Sequence, residues 1–239
     1  MPSKRILALS SSWAGNSAYL ETAIPVIKKF LVSKATNIAF IPFASVDDYE
    51  EYASNVREAL KNLPVTIETV LPGNAKSVIE KNDAIMVGGG NTFKLLHDIY
   101  QLNLLDIIRD KVNDGVPYIG WSAGSNIAGT TIGTTNDMPI IEPKSFNALK
   151  LFPFQINPHY YNQQAKGFNG ETRDQRLDEF IKMNPGIPIV CLPEGTALQL
   201  AEQKLKFVGN VSGILLYMDN LTLLTRKEIN SGTDLSYLL

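Results

Sequence analysis

Apolar positions along this chain come in short blocks rich in β-branched and aromatic residues, separated by longer stretches where they recur every three or four places. The blocks at 5–10, 37–43, 65–70, 84–87, 116–121 and 187–192 predict strands. Several lack polar alternation, as strands covered on both faces do, so they are expected at the centre of a sheet. The stretches 17–32, 49–62, 91–100 and 104–113 carry the helical period. Strands alternating with helices predict an α/β fold, a mostly parallel sheet with flanking helices.

Past Gly124 the pattern loosens. Residues 130–158 are rich in Thr, Gly, Asn and Pro, and long irregular segments in compact domains are often functional. A charged helix is expected from about 172 to 183. Three alternating pieces, 204–208, 213–217 and 221–225, are expected as antiparallel strands closing one edge of the sheet. No repeat, low-complexity tract or linker breaks the chain, so residues 1–239 are read as a single catalytic α/β domain with a substantial core.

Composition removes whole classes of function. Lys and Arg number 22 against 24 Asp and Glu, a formal charge of -2, so no basic field exists to hold nucleic acid or an anionic membrane. A lone Cys191 rules out an intrachain disulfide framework, and two histidines are too few for a Cys/His zinc site. The apolar run at 6–9 gives way to Ser10, Ser11 and Ser12, too short for a signal-peptide core, and no stretch approaches the ~18 apolar residues of a membrane span. The expectation is a cytoplasmic enzyme or binding protein with a small-molecule partner.

The strongest chemical signal is Gly120-Trp121-Ser122-Ala123-Gly124, directly after the apolar Val116-Pro117-Tyr118-Ile119. A serine on a sharp strand-to-helix turn needs small neighbours because the turn is crowded. The turn exposes its hydroxyl above the sheet edge and aims the next backbone N–H at a developing oxyanion. Ser125, Asn126, Ile127 and Ala128 suit the helix that should follow. A Gly/Ser turn without chemistry would carry similar letters; the strand before and helix after favour Ser122 as a nucleophile.

A serine needs a base, and there are two histidines. His97 shares a helical face with Phe93, Leu96 and Tyr100 and is expected to be packed. His159 follows Pro158, which breaks a helix and favours an extended approach, so His159 is the better candidate. Two carboxylates could orient it: Asp137, in the irregular stretch before Pro139, and Glu194, just beyond the block at 187–192. The residues do not choose between them; one could orient His159 while the other holds a substrate ammonium group.

Gly88-Gly89-Gly90-Asn91-Thr92 follows another strand and opens a helix, a place where amides cradle anions. Phe93 stands where a dinucleotide fingerprint would need glycine, and no P-loop lysine follows, so the favoured role is an oxyanion hole in which Gly89 or Gly90 joins Ala123. The charges of Glu171-Thr172-Arg173-Asp174-Gln175-Arg176 fit a solvated helix face; alternatively, one arginine forks onto a substrate carboxylate.

Taken in order, the Gly88 loop, the Ser122 elbow, Thr134-Thr135-Asn136-Asp137-Met138-Pro139, Gln155-Ile156-Asn157-Pro158-His159, Gly170-Glu171-Thr172-Arg173 and Leu192-Pro193-Glu194-Gly195 resemble the peptidase E family, the α-aspartyl dipeptidases. The resemblance runs over roughly residues 5–199. It implies a cytoplasmic serine peptidase that cleaves dipeptides with an N-terminal aspartate, on a three-layer fold similar to class I glutamine amidotransferases, without metal or cofactor, as a monomer or homodimer. By motif it makes Ser122 the nucleophile and His159 the base, leaves Asp137 and Glu194 as rival third members, and gives Arg173 to the substrate's aspartyl side chain. Ser125 stands where the family is expected to have alanine, a change expected to leave the chemistry undisturbed.

Two rival readings use the same residues. A cyanophycinase-like hydrolase would keep the elbow and attack β-linked aspartyl-arginine, and a non-catalytic module would use the glycine loops to bind a small anion. An α/β-hydrolase esterase fits less well because no histidine follows His159, and a glutamine amidotransferase would need a cysteine nucleophile, whereas Cys191 has no elbow around it.

Overall fold

In the first strand, β1 (Ile6–Leu9), all four side chains are buried, yet Ile6 and Ala8 join one apolar cluster while Leu7 and Leu9 join another. The same division runs through β2 (Asn37–Ile41), where Ala39 and Ile41 face one way and Ile38 and Phe40 the other. A strand's period of two thus builds a core on each face, and helices cover both. On one side lie α1 (Ile24–Phe30) and α2 (Tyr49–Leu60), burying Ile27, Phe30, Val56 and Leu60. On the other lie α3 (Ala75–Lys81), α4 (Thr92–Gln101) and α5 (Leu105–Asn113), burying Val78, Leu96 and Ile108. The computed structural model describes residues 3–31, 37–163, 167 and 169–239.

The remaining strands of this sheet are β3 (Thr66–Thr69), β4 (Ala84–Val87), β5 (Tyr118–Trp121), β8 (Ala197–Ala201) and β9 (Lys204–Val208). Their order is β3-β2-β4-β5-β1-β8-β9, parallel through β1 and antiparallel for the last two. The short helix α6 (Ala123–Asn126) follows β5. A second sheet, in the order β11-β10-β7-β6, consists of β6 (Gln155–Asn157), β7 (Ile189–Cys191), β10 (Gly213–Asp219) and β11 (Leu223–Ile229). Ile156, Val190, Leu215 and Ile229 join the core of the main sheet. Ile189, Cys191 and Leu216 pack instead beneath Leu177 and Ile181 of α7 (Arg173–Met183).

Several expectations are corrected. The block at 187–192 contributes β7 to the second sheet, not a strand to the centre of the main one. The tail pieces do not close a common edge: β9 completes the main sheet, while β10 pairs with β7 and β11 with β10 in the second. The helix expected over 17–32 is regular only from Ile24, because Pro25 marks a helix start rather than an interior; Val32 lies outside the described residues. The pattern also misses β8. Its hairpin to β9 turns through Glu202 (φ 51°) and Gln203 (φ 61°), without the Gly or Asn that signals such a turn.

Candidate active site

Two pairs of adjacent parallel strands deliver the site. In the main sheet β4 and β5 run side by side, Val87 opposite Gly120, so the Gly88 loop and the Ser122 elbow emerge together at their carboxyl ends. In the second sheet β6 and β7 do the same, Asn157 opposite Cys191, so His159 and Glu194 emerge together. Ligand groups gather at such carboxyl edges because the loops leaving neighbouring strands converge there.

Ser122 has φ 52° and ψ -114°, a region in which a residue with a Cβ is strained. Its surroundings hold it there: Ser122 N–H donates to Leu9 O (3.2 Å), and Ser122 O accepts from the amides of Ser125 and Asn126 (2.9 Å each). The chain then passes so close to β4 that a Cβ on Gly124 would stand 2.3 Å from Val87 O, which excludes every larger residue. Ser125 follows one position later. Its buried hydroxyl lies 2.6 Å from Leu9 O and 2.9 Å from Gly120 O, joining β1 to the elbow.

The His159 Nε2 atom is 2.9 Å from Ser122 Oγ, and its Nδ1 is 3.0 Å from Glu194 Oε1. With Nδ1 protonated and donating to Glu194, the Nε2 lone pair receives the serine O–H, the tautomer a general base requires. The imidazole and carboxylate side chains are 40% and 50% exposed, so the pair adds little to stability and acts through orientation. Asp137 makes a different contact. Its Oδ2 accepts from Thr92 N–H (2.7 Å) and Thr135 Oγ1 (3.2 Å), holding the start of α4 immediately after the glycine loop. His97 is half-buried in α4 with Nδ1 2.9 Å from Asp98 Oδ1.

His159 also has a positive φ, 50°. Its N–H donates to Ser10 Oγ (3.0 Å), while Ser10 O–H donates to Leu192 O (2.7 Å). Ser10 is fully buried at the end of β1, so one hydroxyl ties the main sheet to both loops of the second. Nothing in the Ser10-Ser11-Ser12 run singles it out; only the tertiary contact does. Ser10→Ala is expected to cost about 1–3 kcal/mol by leaving the His159 amide unpaired, while Leu192 O keeps its bond from Tyr160 N–H (2.9 Å). A thermal melt should show the loss, and kcat should fall with KM little changed as the imidazole drifts from Ser122.

Arg173 opens α7, where the helix dipole is unfavourable to a cation. Its Nη1 donates to Asn157 Oδ1 (3.3 Å) and His159 O (3.5 Å), and among the described residues no carboxylate forms an ion pair with it. Burial, with Arg176 nearby, lowers its pKa below the ordinary arginine value. Asp174 is otherwise engaged, accepting from Tyr160 O–H (2.6 Å) and Asn162 Nδ2 (2.7 Å). Buried Asn157 completes the wall, its Nδ2 donating to Thr134 O (2.7 Å) and Asn136 Oδ1 (3.1 Å). The amides of Gly89, Gly90 and Ala123 meet no acceptor among the described residues, and Gly89 lies against Ser122. Those residues contain no cluster of three or more His, Cys, Asp or Glu suited to a metal, and no helix long and apolar enough to cross a membrane.

A serine hydroxyl, an imidazole and a carboxylate in sequence, above the carboxyl edge of an α/β sheet, define the class: a serine hydrolase. Comparison with known proteins narrows it. The sequence profile of peptidase family S51 matches residues 6–208. Peptidase E of Nostoc sp. is 49% identical over 87% of this chain and 87% of its own, and that of Shewanella amazonensis 47% identical over 98% and 99%. The Haemophilus influenzae peptidase E is 48% identical over 89% of this chain and 99% of its own. In fold, a peptidase from an acI-B1 Actinobacterium superposes with a TM-score of 0.68 at 14% identity, covering 98% of this chain and 96% of that one. The chain belongs to peptidase family S51 and is a peptide-bond hydrolase.

Proposed function

We propose that this enzyme hydrolyses dipeptides with an N-terminal aspartate through an acyl-enzyme on Ser122. The observation that carries the reading is the continuous relay Glu194–His159–Ser122 beside the unengaged amides of Gly89, Gly90 and Ala123. His159 Nε2 takes the serine proton as Oγ attacks the peptide carbonyl, and Glu194 stabilises the imidazolium so formed. The three amides are the donors for the oxyanion. The imidazolium then protonates the leaving amine, and water, activated by the same nitrogen, releases aspartate and restores Ser122.

Arg173 is the group for the aspartyl side chain: a half-buried cation at the wrong end of a helix, bonded to neutral acceptors, gains most from an incoming carboxylate. Asp137, bonded to Thr92 N–H, is the carboxylate available to the substrate ammonium. The substrate is thus a small peptide rather than nucleic acid. We take the setting to be the cytoplasm, which suits the single, buried, free thiol of Cys191.

Turnover should be measured for Asp-X, Glu-X, Asn-X, N-blocked Asp-X and β-aspartyl-X. Only the α-linked, free Asp-X substrate is expected to be cleaved efficiently. Preference for the β-linked substrate would support a cyanophycinase-like activity.

A further inference from the structure

The glycine loop is held from behind by a tyrosine that touches none of the groups named above as reacting. Tyr52, on the second turn of α2, donates its hydroxyl proton to Gly89 O (3.0 Å) and accepts from Trp121 Nε1 (3.2 Å). Trp121 immediately precedes Ser122, so a single phenol oxygen links the elbow to the loop beside it. The approach is close: a Cβ on Gly88 would lie 2.6 Å from that oxygen and would displace it. Phe40 fixes the phenol and indole rings together, edge-on to Tyr52 at 5.2 Å and stacked on Trp121 at 5.8 Å. Burial raises the Tyr52 pKa above the ordinary tyrosine value.

The peptide plane turns this anchor into an aim. No cis bond occurs among the described residues, so in the Gly89–Gly90 unit the N–H points opposite to the C=O. Pulling Gly89 O towards α2 turns Gly90 N–H away from α2, and that amide has no acceptor among the described residues. Flanking bonds hold the ends, from Gly88 N–H to Ile41 O (3.0 Å) and from Asn91 N–H to Ala44 O (2.8 Å), but neither sets the rotation of the plane between them. Gly90 has φ 135°, a region open to glycine that leaves the plane free to turn unless something holds it.

We propose that Tyr52 is a positioning residue for the oxyanion hole, its bond to Gly89 O fixing the peptide plane whose N–H receives the transition-state charge. This rests on the acyl-enzyme reading above. Preorganised donors favour the charged transition state over the bound substrate, so loss of the anchor should appear in kcat rather than KM.

The test is Tyr52→Phe, which removes one oxygen and keeps the ring. On Asp-X, kcat should fall about tenfold, less than the 10²–10³-fold that follows loss of an oxyanion donor itself, with KM nearly unchanged. Affinity for an aspartyl aldehyde, whose adduct with Ser122 carries the oxyanion, should fall in parallel, while affinity for free aspartate should hold. An unchanged kcat, or equal losses for the aldehyde and aspartate, would overturn the proposal. If Tyr52→Phe does not fold, 4-fluorophenylalanine at position 52 fills the place of the hydroxyl without a donor; an unchanged kcat in that protein has the same meaning. Ser122→Ala assayed in parallel separates the two levels. Turnover surviving in that variant would remove the acyl-enzyme reading, whereas an inactive Ser122→Ala beside a fully active Tyr52→Phe would remove only the role of Tyr52.

Discussion

Ser122→Ala is expected to abolish turnover of Asp-X, with kcat falling on the order of a millionfold, as when a triad serine is removed elsewhere. Alanine keeps the Cβ and therefore the backbone strain at φ 52°, so the melting temperature should be nearly unchanged. Substrate should still bind, since the proposed oxyanion donors and the proposed substrate contacts of Arg173 and Asp137 all remain. Calorimetric binding without hydrolysis is the pattern to look for; residual turnover within tenfold of the parent would show that another group attacks the carbonyl.

The second large effect is expected at Arg173. Arg173→Ala should lower kcat/KM for Asp-X by about 2–5 kcal/mol, the range for truncating one partner of a buried charge pair. That is on the order of thirtyfold to several thousandfold, while the slow cleavage of Ala-X should change little or rise. Lysine should rescue only in part, because it supplies charge without the planar fork that matches a carboxylate. Equal losses on Asp-X and Ala-X would mean that Arg173 merely supports Asn157 and His159, whose oxygens it already reaches.

The parts legible in the sequence are those written locally. The Gly88 loop and the Ser122 elbow each sit beside the strand that presents them, so a glycine-rich turn after an apolar block was enough to find both. The choice between Asp137 and Glu194 was not written locally. It depends on β6, only Gln155–Asn157, lying parallel to β7, and three residues are too few for a period to emerge. Once that pairing exists, two loops leaving adjacent strands bring Glu194 to His159, while Asp137 is taken up by the start of α4. Ser10 and Tyr52 were invisible for another reason. Each acts through one hydroxyl that reaches a backbone group far along the chain, 149 positions away for Ser10 and 37 for Tyr52.

The separation of Ser122 and His159, the proposed nucleophile and base, onto different sheets has a temporal consequence. A nascent chain that has already shaped its elbow is still inert, because the imidazole arrives only with β6 and gains its carboxylate only with the loop after β7, which β10 must flank. Hydrolytic power therefore switches on late in synthesis. It should also be the first property to lapse under stress, at the earliest loosening of the contacts between the two sheets.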